Sequence, residues 1–141
     1  MKSHFRSEAD IVALVESFES CALPPDAFKH ADHLAVVAWY LKSTSERDAT
    51  DRMRAGLYRF LDAHVGDRQK YHETITVFWV KLVKKFLERM DKECEFSELV
   101  NELAEHYGDS KLVFEYYSRE IIASDEARLH WIEPDLRRTD F

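Results

Sequence analysis

Two histidines stand three residues apart in FKHADHLAVVAWYL, residues 28–41, at the head of an apolar run. A second apolar run, YHETITVFWVKLV at 71–83, opens on another histidine. At 3.6 residues per turn, His30, His33, Leu34, Val37, Ala38 and Leu41 fall on one helical face, with Asp32 and Lys42 turned away. In the second run His72, Ile75, Thr76, Trp79, Leu82, Val83 and Phe86 share a face, and Glu73 sits beside it. Imidazole is the commonest protein ligand for transition metals and titrates near neutral pH. An i, i+3 pair lets two side chains of one helix reach one ion, and a facing helix supplies the third ligand. Three neutral histidines would leave the fourth position of a catalytic zinc open. We therefore take His30, His33 and His72 as candidate ligands of a divalent transition metal, zinc or iron. Glu73 is the candidate catalytic acid/base, with Asp32 as a second carboxylate able to orient a histidine N–H. Metal-assisted hydrolysis and oxidation both fit such a site.

Two other readings stand beside this one. The pair HxxH is unspecific by itself, and the HExxH signature is absent, because Thr76 stands where the second histidine would be. Without a metal, the same histidines at two helix starts would bind an anionic small molecule, helped by free N–H groups and the helix dipole. Thr76, Trp79 and Tyr40 would line that pocket. In the third reading the histidines hydrogen-bond to carbonyls, Trp79 is core, and the molecule is an interaction protein. Apolar faces of its later helices would then meet a partner or a second copy, so a homodimer is open.

These side chains need helices to carry them. Glycine and proline number three each, too few for the turns of an all-β plan. The pattern predicts helices over 8–20, 30–43, 46–64, 71–90, from Ser97 to Gly108, and 112–122, with a short one from Asp125 to Trp131. Ser7 and Ser124 are N-cap candidates, and Gly66 fits the residue just past a helix end. The fold class is all-α: a single domain over 1–141, a bundle of five to six helices with an up-down core and an extended C-terminal tail. In an up-down bundle alternate helices run parallel, so the second and fourth would start at the same end. That topology brings the histidines together.

The rest of the sequence offers less chemistry. In FEYYSRE, Tyr117 or Arg119 would complete a polar pocket, although an amphipathic helix accounts for Tyr116, Arg119 and Glu120 as well. Trp131 would anchor a tail clasped across the bundle, with His130 and Glu133 as outlying site candidates. His4, His64 and His106 read as surface residues near element ends. Cys21 and Cys94 have no partner pattern and read as structural.

Composition narrows the partners. Lys and Arg total 20 against 27 Asp and Glu, a net charge of −7, which argues against nucleic acid and anionic membranes. No run reaches the ~18 apolar residues of a membrane span, and no signal-peptide pattern opens the chain, so a cytoplasmic protein is expected. Three glycines exclude phosphate-binding glycine loops.

FKHADHL, YHETIT and SDEARLHWIEPDL together, from about Phe28 to Leu136, resemble a family of short bacterial all-helical proteins without an assigned activity. The resemblance implies that His30, His33, His72, Thr74 and Thr76 belong to motifs of the FxHxxHL and YHxTxT type, alongside a WxEPDL-type tail. It implies no reaction, substrate or metal.

Overall fold

The computed structural model describes residues 5–90, 93–139 and 141. Its long helices are α1 (Glu8–Glu19), α2 (His30–Ser43), α3 (Glu46–His64), α4 (Glu73–Arg89) and α5 (Phe96–Tyr107). Two five-residue helices follow, α6 (Arg119–Ala123) and α7 (Asp125–Leu129). Short 3-10 turns cover Pro25–Ala27, Arg68–Lys70 and Ser110–Glu115. The described residues contain no strand, and the fold is all-α.

α2 is the central element. It packs against α1, α3, α4 and α5, and this explains its composition. Ala35, Val36, Val37 and Ala38 are consecutive and all buried, which a helix contacted on one side only would not allow. Small residues there let four neighbours approach. α3 is amphipathic by contrast: Met53, Gly56 and Phe60 are buried and its other side is charged. Its start is set by Ser45, whose hydroxyl accepts the Asp48 N–H at 3.1 Å, with Glu46 and Asp48 in the first turn. Gly66 ends it with φ +75°.

Gly56 has a different reason. A Cβ built there would lie 2.6 Å from the ring of Phe18 on α1. The glycine is where α1 seats its largest buried side chain against α3.

α1 begins at Ser7, but the Ser7 hydroxyl makes no capping bond; instead Asp10 reaches back to the Arg6 N–H at 2.8 Å. Cys21 leaves α1 with φ +62°, and its carbonyl accepts from His64 Nε2 at 2.8 Å. His106 pairs with Glu102. His4 lies outside the described residues.

Two sequence expectations need correction. The helix expected over 112–122 is broken. Residues 110–115 form a 3-10 turn and α6 starts at Arg119, because the Ser118 N–H is drawn to Asp135 Oδ1 (2.8 Å) while its hydroxyl caps Ile121 N. The helix expected from Tyr71 starts two residues later, at Glu73, with His72 extended in the capping position.

The tail beyond α7 runs along the bundle without helix. Tyr117 donates to Ile132 O at 2.5 Å, and Leu136 N–H to Tyr116 O at 2.9 Å. Trp131 is half-buried beside Tyr117 and under Lys81. Among the described residues no helix is long and apolar enough to cross a membrane.

Candidate functional site

A cavity of about 530 Å³ opens where α2, α3 and α4 meet. The start of α2 contributes His30, His33, Leu34 and Val37; the start of α4 contributes His72, Ile75, Thr76 and Trp79. The later half of α3 gives Leu57, Phe60 and Leu61. So α2 and α4 begin at the same end, α3 ends there, and the three histidines line one space.

Each histidine is held differently. His72 is the N-cap of α4: its Nδ1 accepts the Ile75 N–H at 3.1 Å, and its Nε2 donates to Ile122 O at 2.7 Å. An amide can only donate and a carbonyl only accept, so the tautomer is fixed and both nitrogens are occupied. His30 donates from Nε2 to Tyr107 O at 3.1 Å, a carbonyl at the end of α5. Its ring meets Trp79 edge-on, centroids 4.4 Å apart. Burial lowers the His30 pKa, against the raising effects of the Tyr107 carbonyl and Asp109.

His33 has no hydrogen-bond partner among the described residues. Its ring stacks on Phe28 at 3.9 Å between centroids. Burial, with a smaller contribution from His30, pushes its pKa down to about 4. At neutral pH it is an uncharged ring carrying one donor and one acceptor, both unused by the protein. No side-chain nitrogen or oxygen sealed from solvent lacks a partner among the described residues, so the His33 nitrogens reach open space.

The other sequence candidates divide. Thr76 and Trp79 line the cavity, Thr76 with its hydroxyl turned to His72 O at 2.9 Å. Tyr40 does not: it is buried between α1 and α2, donating to Glu19 at 2.6 Å. The expectation that Tyr40 lines the pocket is thus corrected: α2 is packed on several sides, and Tyr40 lies on the side toward α1. Glu73 also lies off the cavity wall. Its two oxygens take a bidentate contact from Arg54 on α3 (2.9 and 2.6 Å), and Tyr71 donates to one of them at 2.6 Å. Burial pulls its carboxyl upward, but those hydrogen bonds hold it below its ordinary value. A carboxylate held this way ties α3 to α4 rather than facing a substrate. Tyr117 is bound to the tail, His130 and Glu133 lie on it, and Asp32 takes the Lys29 N–H at 3.0 Å, capping α2.

Two residues of the wall carried no sequence signal. Lys70 and Ser110 are exposed at the mouth and come from 3-10 turns, where no periodicity marks which side faces in. The remaining wall is formed by Phe28, Met53, Val113 and Phe114, with Tyr71, whose hydroxyl is already donated to Glu73.

Among the described residues no three His, Cys, Asp or Glu side chains are grouped to hold a metal ion. A second cavity, about 590 Å³, lies at the far end of α2. Its lysines are already matched, Lys42 to Glu8 and Lys84 to Glu88, which leaves it without the unused polar atoms of the first. Comparison with protein-family models, curated proteins and solved structures returns no match for this chain.

Proposed function

We propose that this protein binds a small organic molecule, without a metal, in the cavity at the starts of α2 and α4. One observation carries the reading: a space of ligand size, apolar over most of its wall, holds a half-buried imidazole, His33, whose nitrogens no described protein group uses. Those nitrogens face the open cavity, so an occupant that bonds them exchanges water contacts for directed ones, a net gain of about 0.5–1.5 kcal/mol per hydrogen bond. The volume lies within the roughly 300–1,000 Å³ range of small-molecule pockets. The metal reading is the weaker one, because His72 has no nitrogen to give while it caps α4. Two histidines alone fall short of the three ligands a catalytic zinc takes.

The test is a titration with N-phenyl-1-naphthylamine, an uncharged fluorophore that brightens in apolar surroundings. Saturable binding of one equivalent is expected, abolished in Leu57→Trp, which fills the cavity, with helicity unchanged by circular dichroism. Absence of saturable binding in the native protein overturns the reading. So does near-stoichiometric metal in tag-free protein that disappears in His30→Ala and His33→Ala.

A further inference from the structure

The hydrogen-bonding inventory of the cavity narrows the occupant, given that the cavity is a binding site. His30 is the key. Its Nε2 must carry the hydrogen, since it faces the Tyr107 carbonyl, which can only accept. The neutral ring therefore presents Nδ1 as a bare lone pair, and Nδ1 has no partner among the described residues. His33, one helical turn along the same face, adds one N–H donor and one further lone pair. Together the two rings offer two acceptors and one donor, and no positive charge. The cationic group in the wall, Lys70, is exposed at the mouth.

An acceptor-only head group does not match this pair. A carboxylate or phosphate brought to the histidines would set its lone pairs against Nδ1 of His30 and give up its hydration without meeting a charge. A hydroxyl matches: it donates to one imidazole nitrogen and accepts from the His33 N–H. The ring of Trp79 stands edge-on to His30, and Leu57, Val37 and Phe60 enclose the space, which suits a flat or branched apolar body.

We propose that the cavity selects an uncharged phenol or alcohol, its hydroxyl on His30 and His33 and its apolar body toward Trp79 and Leu57.

The experiment compares three probes of one shape by calorimetric titration at pH 7.5: 4-propylphenol, 4-propyltoluene and 4-propylbenzoate. The phenol is expected to bind at least tenfold more tightly than the toluene, and the benzoate to bind more weakly than both. In His33→Leu the advantage of the phenol over the toluene should shrink to less than threefold. Equal binding of phenol and toluene overturns the hydroxyl assignment while leaving the cavity reading intact. A preference for the benzoate overturns it too, in favour of an anionic ligand. Failure of all three probes, with N-phenyl-1-naphthylamine also unbound, removes the cavity reading along with it. Probe binding with the phenol preference undiminished in His33→Leu overturns the role given to the histidine pair.

Discussion

The block YHETIT shows how one residue type serves different ends within a few positions. Thr74 is fully buried, and its hydroxyl lies 2.6 Å from Ala127 O and 2.7 Å from His130 O, while accepting the Ile132 N–H at 3.3 Å. Thr76, two residues on, bonds back to the preceding turn at His72 O. Thr74→Val keeps the shape and strands those backbone groups, so urea unfolding should show a loss of about 2 kcal/mol. Thr76→Val should cost under about 0.5 kcal/mol, since hydroxyl back-bonding slightly destabilises helices. Glu73→Gln should leave any ligand affinity unchanged and lower stability by about 1 kcal/mol, its pair with Arg54 being partly solvated. That loss should vanish in acid, because a carboxyl with a lowered folded pKa contributes above its unfolded value and stops as pH falls through the folded one. His72 marks a limit of reading residues from sequence. Projected onto a helix starting at Tyr71, it points inward with a free ring; with the helix starting at Glu73, the same ring is spent on its cap.

Among the elements, α2 and α3 have the bounds expected from the sequence, because Ser45 caps one and apolar spacing runs unbroken through the other. The chain after α5 was harder to read. Its order depends on Asp135, sixteen residues beyond Arg119, capturing the Ser118 N–H, and no local pattern encodes such a contact. The same feature makes this part the least anchored. α6 buries no residue fully and α7 only Ala127; their hold comes from the half-buried Ile121 and Ile122 against the core and from hydrogen bonds to His72 and Thr74. Amide exchange over 119–129 should be at least tenfold faster than over 34–38 and 78–83 under native conditions, a gap of at least about 1.4 kcal/mol in opening free energy. Equal protection would mean that the short helices open only with the bundle.

For the molecule as a whole, the charge state of the cavity ties stability to pH. His33 takes its proton at about 4 in the folded chain and near 6.5 when exposed, so the unfolded state binds more protons between those values. Stability should therefore rise with pH from about 4 to 6.5 and level off above, the full span worth about 3 kcal/mol. The groups around the ring are His30, which adds a like charge once protonated, with His72 and Lys70 elsewhere on the wall. Chemical denaturation of native protein and His33→Phe at pH 5.0, 6.0 and 7.0 checks this; the variant's slope should be markedly flatter. The convergence of α2 and α4 at one end was legible from alternating helix directions and two histidine-headed runs. The position of Tyr40 was not, because a single apolar stripe does not show that α2 is packed on several sides, one of them against α1.

The missing side chain at position 56 makes that spot a socket for an aromatic plug. Ala in place of Gly normally favours a helix by about 1 kcal/mol, yet here it would push the Phe18 ring out of its seat. Gly56→Ala should therefore lower the melting temperature, and pairing it with Phe18→Leu should recover part of the loss. Such a bump-and-hole pair would test the seating of the first helix on the third without touching the histidine end.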